Sequence, residues 1–171
     1  MSTPFSFTGD AGSTLSHVVV PAGGRDRIRV QYVSATSDKA TSLLALKAPS
    51  KSTTVTATSA TGQKVVNCVP YASAAANDVV VLFSNATGTG VRGVVASVQD
   101  GKSITLTANL ALALAPGDTV HLMATAGQIP VAAATKEANA PTVFVVHQGP
   151  ALLEVDGTSA CRINLVAGEY C

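Results

Sequence analysis

Residues 94–106 read VVASVQDGKSITL and predict two β-strands joined by a tight turn. The dipeptide Asp100-Gly101 tolerates the backbone conformations of a hairpin turn. Beyond it, Ile104, Leu106 and Leu110 recur at even positions between serine, threonine and asparagine. Such period-two alternation indicates a strand with one buried and one solvated face. The stretch therefore predicts an antiparallel sheet.

Similar short segments, separated by turn residues, follow one another along most of the chain, as at Arg27–Tyr32 and Thr142–His147. The helical candidate is Val131–Ala138, which has helix-forming residues but no sustained apolar stripe. We therefore predict an all-β fold with little or no helix. Its expected form is an antiparallel, jelly-roll-like sandwich that carries a small β-barrel or meander lobe.

A weak internal repeat organises the chain further, because Asp78 and Asp118 each stand just before an apolar strand. Phe5 and Phe7 are two residues apart, so both rings face one side if their segment is extended. The predicted organisation is an extended N-terminal arm at 1–13, a sandwich of 14–69 with 140–171, an inserted lobe at 70–126 and a connector at 127–139.

Composition narrows the function classes. Charged residues make up 12% of the 171 residues, against about 25% in ordinary soluble proteins. A surface this poor in charge favours a protein that remains in contact with other subunits. The net charge of +1 argues against nucleic acid as a partner, because counterion release needs a dense run of Lys and Arg.

The chain also lacks the sequence features of secretion and of membrane insertion. Its first residues, MSTPFSFTGDAGS, contain no basic and apolar signal pattern, and no apolar run approaches the ~20 residues of a membrane span. Cys68, Cys161 and Cys171 are widely spaced, which predicts reduced thiols in a protein folded in a cytoplasm.

One segment imitates a nucleotide-binding loop. In NATGTGVRG, residues 85–93, Gly88, Gly90 and Gly93 match G-x-G-x-x-G. That fingerprint requires a helix after the glycines, whose N-terminus receives the pyrophosphate. Here Val-Val-Ala-Ser-Val follows, which predicts a strand. We therefore interpret 85–93 as a flexible link between the strands 78–83 and 93–98, with Arg92 as its one charge.

The candidates for catalysis and for metal binding are few. His17, His121 and His147 belong to no recognisable nucleophile motif, and His121 is predicted on the sheet face opposite Val120 and Leu122. No His, Cys, Asp or Glu pair has the close spacing of zinc or calcium ligands. The sequence predicts no enzyme, no cofactor and no metal.

A basic stripe, Arg25, Arg27 and Arg29, has two interpretations. Three guanidinium groups on one strand face repel one another unless acids or phosphates lie opposite, which predicts Asp or Glu from another segment or chain. Alternatively, the stripe is a solvated edge strand protected by its charges.

Two stretches resemble structural proteins of tailed bacteriophages. The first is RVQYVSATSDKATSLLAL at 29–46. The second is Val79–Met123, which contains VVASVQDGKSITL and then APGDTVHLM. The resemblance implies a non-enzymatic capsid decoration, or cement, protein. Its expected location is the virion, assembled in the host cytoplasm, and its expected partners are the major capsid protein and itself, as a homotrimer, without nucleic acid or membrane.

Six residues are the candidate contacts to the capsid or between subunits: Phe5, Phe7, Arg25, Arg27, Arg29 and Arg92. We also expect deletion of residues 1–13 to abolish capsid occupancy and leave the fold intact. The alternatives are another phage component, such as a tail, neck or fibre protein, and a β-sandwich carbohydrate-binding module. The absence of Trp argues against stacking on sugars.

Overall fold

The computed structural model describes residues 2–9, 15–20, 27–37, 42–131, 136–137, 143–147, 149–155 and 161–170. Every regular element in these ranges is a β-strand, and the strand pairs with a resolved register are antiparallel. The prediction of an all-β fold of antiparallel sheets is confirmed. Within the same ranges no helix is long and apolar enough to cross a membrane.

The strands are β1 (Ser2–Gly9), β2 (Leu15–Val19), β3 (Arg27–Ser37), β4 (Ser42–Thr54), β5 (Val65–Asn67), β6 (Val79–Ser84), β7 (Thr89–Gln99), β8 (Ser103–Leu106), β9 (Thr119–Val131), β10 (Lys136–Glu137), β11 (Val143–His147), β12 (Ala151–Val155) and β13 (Cys161–Tyr170).

The chain divides into two compact units, Met1–Ala48 with Thr125–Cys171, and Pro49–Ala124. In the first unit, β13 lies between β1 and β3, and both β10 and β11 pair with the other side of β3. A second ladder of this unit has β12 between β2 and β4. The first unit therefore contains two antiparallel ladders.

The second unit, Pro49–Ala124, has strands in the order β9-β6-β7-β8-β5. β4 lies beside β9, where the Ser50 hydroxyl donates to the Leu122 carbonyl at 3.2 Å. The two ends of this ladder are joined by no continuous strand pairing: they meet at the isolated bridge between Val55 and Cys68 and at the Thr56 amide, which donates to the Asn67 carbonyl at 2.8 Å. The sheet is consequently a curved meander that is not closed into a full barrel.

The core of the second unit lies on one face of this curved sheet. It consists of Val55, Val66, Cys68, Tyr71, Val80, Leu82, Val95, Ile104, Leu106, Leu110, Leu114 and Val120, each at most 6% exposed. Burial of a side chain of this size stabilises the fold by about 1.5–3 kcal/mol, before the cost in conformational entropy is subtracted. Most members are aliphatic, in agreement with a sequence that has few aromatic residues.

The hairpin predicted at 94–106 is present as β7 and β8. Gln99 pairs with Ser103, the Lys102 amide donates to the Gln99 carbonyl at 3.1 Å, and Gly101 has φ 66°. β7 contains a bulge between Val95 and Ser97, which shifts the alternation by one residue. Val98 can therefore pack on the same core as Val95, although the two residues are an odd number of positions apart.

The unit boundaries differ from the predicted lobe at 70–126. The second unit begins at Pro49, because the last residues of β4 and the whole of β5 contribute to its sheet. The predicted arm, 1–13, contains β1, which pairs with β13 of the same chain from Ser2 opposite Gly168 to Gly9 opposite Cys161. An arm so paired is a strand of the fold, so its deletion would expose the edge of β13.

The short helical candidate Val131–Ala138 forms no helix in the part that is described, in agreement with the prediction of little or no helix. Val131 ends β9, and Lys136 and Glu137 form β10 opposite Ala35 and Ser34 of β3. Residues 132–135 and 138 lie outside the described ranges. Composition alone favoured a helix, but pairing with β3 determines the conformation of 136–137.

Candidate functional site

The glycine-rich segment 85–93 is a β-hairpin. Ser84 pairs with Thr89, and the Gly88 amide donates to the Ser84 carbonyl at 2.9 Å. Gly88 has φ 64°, a conformation that costs other residues energy. The expectation that a strand follows the glycines is confirmed, so no helix N-terminus is available to receive a phosphate.

The other two glycines lie inside β7. Gly90 pairs with Phe83 and Gly93 with Val80. A Cβ on Gly93 would come within 3.3 Å of both Leu106 Cδ2 and Val80 Cγ2. Gly93 thus permits close packing of the core. The link is also shorter than predicted, because β7 begins at Thr89.

Arg92 lies within β7, on the face of the sheet opposite the core. Val81 pairs with Arg92 on one side and with His121 on the other, and directly paired residues share a face. Val81 is fully buried although it is outside the core cluster. Arg92 itself is half-buried, so it is a strand residue and not the charge of a flexible loop.

His121 is on the face predicted for it, opposite to Val120. Its Nε2 lies 2.9 Å from the Thr119 hydroxyl, and its Nδ1 is buried without a hydrogen-bond partner. Burial lowers the pKa of the imidazole from its ordinary value. Cys68 belongs to the core on the opposite face, where burial raises the pKa of its thiol. The two side chains therefore do not form a nucleophile and base pair.

Two acids organise the turns that precede β6 and β9. The Asp78 carboxylate accepts hydrogen bonds from the Tyr71 hydroxyl at 2.7 Å and the Ala75 amide at 2.9 Å. Burial raises the pKa of Tyr71, and its hydrogen bond to the Asp78 carboxylate raises that pKa further. The hydrogen bond between Tyr71 and Asp78 therefore holds the loop between these two residues in place.

The Asp118 carboxylate accepts from the Ala115 amide and from the Asn85 amide, each at 2.8 Å. The Asn85 side chain also donates to the Gly117 carbonyl at 2.7 Å. Asp118 is only 3% exposed. It therefore fixes the hairpin tip 85–88 to the turn 115–118.

The first unit contains a buried ion pair. Lys47 Nζ contacts Glu154 Oε2, with side-chain exposures of 17% and 7%. Register explains the contact, since Lys47 lies opposite Leu152 and Glu154 stands two residues further along the same face of β12. We missed this pair in the sequence. A charged residue within each of the apolar runs LLALK and ALLEV was the signal that could have revealed it.

The predicted contact residues of the first unit are distributed over two strands of one sheet. Phe5 lies opposite Leu165 and Phe7 opposite Ile163, within the β1–β13 pair. Arg27 and Arg29 lie in β3, and Arg25 lies outside the described residues.

The edge-strand interpretation of the arginine stripe is wrong, because β3 has β13 on one side and β11 and β10 on the other. The residues directly opposite Arg27 are His147 and Tyr170, and those opposite Arg29 are Val145 and Gly168. No acid is paired directly with Arg27 or Arg29, and contact of this face with Asp or Glu of another segment or chain stays a prediction.

Sequence reasoning also missed the exposed apolar side chains of the second unit, Val65 and Val69, which are 41% and 55% exposed. In the described part of the chain no group of three or more His, Cys, Asp or Glu residues could hold a metal ion. The polar side chains of the second unit with resolved contacts bind mainly backbone groups of turns and strand ends.

Comparison with known proteins adds little. No family model matches the chain, and no curated protein matches it. A search of solved structures finds the VP2 subviral particle of infectious bursal disease virus, at 12% identity and a TM-score of 0.17, and the Gx strain of that virus, at 16% and 0.13. The alignments cover 99% of this chain but 41% and 36% of those chains. Scores this low carry no argument about fold or function.

Proposed function

We propose that the chain is a non-enzymatic structural protein of a tailed bacteriophage virion, which binds the capsid lattice as a decoration protein. Its partners would be the major capsid protein and further copies of itself in a homotrimer. The resemblance of 29–46, 94–106 and 115–123 to phage structural proteins supports this proposal.

The observation that carries it is the scarcity of charge on the second unit. Seven charged residues occur in 49–124: Lys51, Lys64, Asp78, Arg92, Asp100, Lys102 and Asp118. Asp78 and Asp118 bind backbone amides, and Lys51 Nζ donates to the Ala72 carbonyl at 2.7 Å. Lys64, Asp100 and Lys102 are exposed in turns or at strand ends.

Most of the exposed sheet surface is consequently neutral and small, as at Ser97, Thr107 and Val65. A neutral, hydroxyl-bearing surface loses little solvation free energy on contact with protein, since no isolated charge needs to be desolvated. Several weak contacts of this kind can give stable attachment when copies engage a lattice together.

The test is reconstitution on phage heads that lack this protein. Purified protein is mixed with such heads, the heads are sedimented, and bound chains are counted by quantitative gel analysis. We expect saturable binding and an increase in the temperature at which heads disrupt. Recovery of the chain from tails, or no binding to heads, would contradict the proposal. Light scattering after size-exclusion chromatography tests the homotrimer.

A further inference from the structure

The tip of the β7–β8 hairpin contains an aspartate that is followed directly by a glycine. Asp100 and Gly101 are both exposed, and a Cβ on Gly101 would meet no atom within 4 Å. Within the described part of the chain, neither residue makes a hydrogen bond or an ion pair. The Asp100 carboxyl group and the Gly101 amide nitrogen, which are neighbours along the chain, are therefore both available to react.

The hydrogen bonds of this turn lie on either side of the peptide between Asp100 and Gly101. The Lys102 amide donates to the Gln99 carbonyl at 3.1 Å, and the Lys102 carbonyl accepts from the Cys68 amide at 3.2 Å. Gly101 has φ 66°, as the third residue of a type II turn requires. Type I and type II turns differ mainly by rotation of their central peptide, and glycine accepts both signs of φ. This peptide can therefore rotate while the folded hairpin keeps its hydrogen bonds.

We propose that Asp100 isomerises spontaneously to isoaspartate in the folded protein. The Gly101 amide nitrogen attacks Asp100 Cγ, an N–Cγ bond forms, and the amide proton leaves with the carboxyl hydroxyl as water. A solvent water then opens the resulting five-membered succinimide ring. Cleavage of the N–Cγ bond restores aspartate, whereas cleavage of the bond between this nitrogen and the Asp100 backbone carbonyl carbon gives isoaspartate. The water that is lost is regained, so the reaction needs no other reagent.

The other two aspartates of the second unit are held away from this reaction. Each carboxylate accepts a hydrogen bond from the backbone amide three residues earlier, at 2.9 Å for Asp78 and 2.8 Å for Asp118. Each is followed by a β-branched residue that begins a strand, Val79 or Thr119, whose side chain crowds the amide nitrogen. Attack at either aspartate would break its hydrogen bond, so both positions serve as internal controls.

Isoaspartate lengthens the turn, because the main chain then runs through the side-chain carbon and gains one backbone atom. β7 and β8 pair directly beside the turn, where Gln99 lies opposite Ser103 and the Ser103 hydroxyl donates to Gln99 Oε1 at 3.3 Å. β8 also supplies Ile104 and Leu106 to the core. Isomerisation at Asp100 should therefore destabilise the 49–124 unit as the protein ages. This chemistry is independent of the proposed capsid role.

Trypsin makes the reaction measurable at one position. Cleavage after Arg92 and Lys102 releases 93–102, in which Asp100 is the single aspartate, whereas Asp78 and Asp118 lie on other peptides. The purified full chain is aged in mildly acidic buffer, both folded and in urea, and isoaspartyl peptides are separated by chromatography and identified by mass spectrometry. In the folded protein we expect isoaspartate to form at Asp100 about an order of magnitude faster than at Asp78 or Asp118.

Isotope labelling tests the ring intermediate. In water enriched in heavy oxygen, peptide 93–102 should gain one heavy oxygen atom, because ring opening takes its oxygen from solvent. Asp100→Glu is the matched variant, since it keeps the charge but would require a six-membered ring, which closes far more slowly. It should abolish both isomerisation and labelling of 93–102. The dipeptide Asp156-Gly157 lies outside the described residues and on a different tryptic peptide, so it does not affect this readout.

Two results would overturn the proposal. One is isoaspartate at Asp100 that forms only in urea, which would mean that the folded hairpin protects the peptide. The other is formation in the folded protein no faster than at Asp78 and Asp118. Thermal unfolding of aged samples tests the consequence, and we expect a lower transition temperature for the natural protein than for Asp100→Glu. Equal transition temperatures at a high isoaspartate content would show that the longer turn does not destabilise the unit.

Discussion

Asp78 and Asp118 perform the same structural task 40 residues apart. Each carboxylate accepts a hydrogen bond from the backbone amide three residues earlier, at 2.9 Å for Ala75 and 2.8 Å for Ala115. Each follows a residue with positive φ, 72° at Asn77 and 95° at Gly117. Each also directly precedes a strand, and those two strands, β6 and β9, pair with each other. The two turns therefore fix the ends of the central strand pair.

Loss of either carboxylate is expected to destabilise the fold, and loss of Asp118 more strongly. Asp118→Ala leaves the Ala115 and Asn85 amides without their acceptor at a buried site, which costs about 1–3 kcal/mol for each unsatisfied group. Asp78→Ala affects the Tyr71 hydroxyl and the more exposed Ala75 amide. The unfolding free energy of both variants is measured by urea denaturation, monitored by circular dichroism. Asp100→Ala, in an exposed turn, is the control. If either variant loses less unfolding free energy than Asp100→Ala does, these turns do not hold the strand ends.

We expect the turn at 75–78 to tolerate the sequence of the equivalent turn at 115–118. The double variant Ala76→Pro, Asn77→Gly gives 75–78 the sequence of 115–118, and Gly relieves the positive φ at Asn77. The proline ring also restricts the unfolded chain at this position, so we expect a gain of about 0.4–1 kcal/mol. Thermal unfolding measures this gain in stability. Asn109→Gly is the control for the introduction of a glycine. A loss of stability larger than that of the control would show that the two turns are not equivalent.

The Lys47–Glu154 pair is expected to show strong coupling. Either Lys47→Met or Glu154→Leu removes one charge of the pair and leaves the other at a buried site without this contact, with a cost of about 3–5 kcal/mol. The double variant Lys47→Met, Glu154→Leu removes both charges and should recover much of that loss. A double-mutant cycle of unfolding free energies measures the coupling. Additive losses in the double variant would mean that the contact contributes no specific interaction.

His121 should make the stability depend on pH. Burial lowers the pKa of its imidazole in the folded state, so the unfolded chain binds the proton more readily. The unfolding free energy should therefore fall as the pH is lowered through the ordinary histidine range near about 6.5. His121→Gln should abolish that part of the dependence and retain the contact with Thr119. An identical slope between pH 8 and 5 in both proteins would contradict this assignment.

The fold class could be read from the sequence because alternation and turn residues are local signals. Ile104 and Leu106 alternate with polar residues, and Asp100-Gly101 fixes the turn, so the β7–β8 hairpin followed directly. The repeat at Asp78 and Asp118 was visible as well, although its full extent depends on which strands pair. The short helical candidate Val131–Ala138 shows the opposite case, since pairing of Lys136 and Glu137 with β3 outweighs local preference.

The candidate contact residues were harder to predict, because contact with a partner depends on where the strands lie in the sheet. An edge strand was one of the two interpretations of Arg27 and Arg29, but β3 is flanked on both sides. Phe5 and Phe7 read as an arm, but β1 pairs with β13.

The central claim is that this chain coats a phage capsid. A cryo-electron microscopy reconstruction of the virion that contains the protein tests it most directly, beside a reconstruction of particles from which its gene is deleted. We predict that the difference density lies on the outer capsid surface and accommodates the 49–124 unit. Difference density confined to the tail, neck or fibres, or no difference between the two particles, would contradict the account.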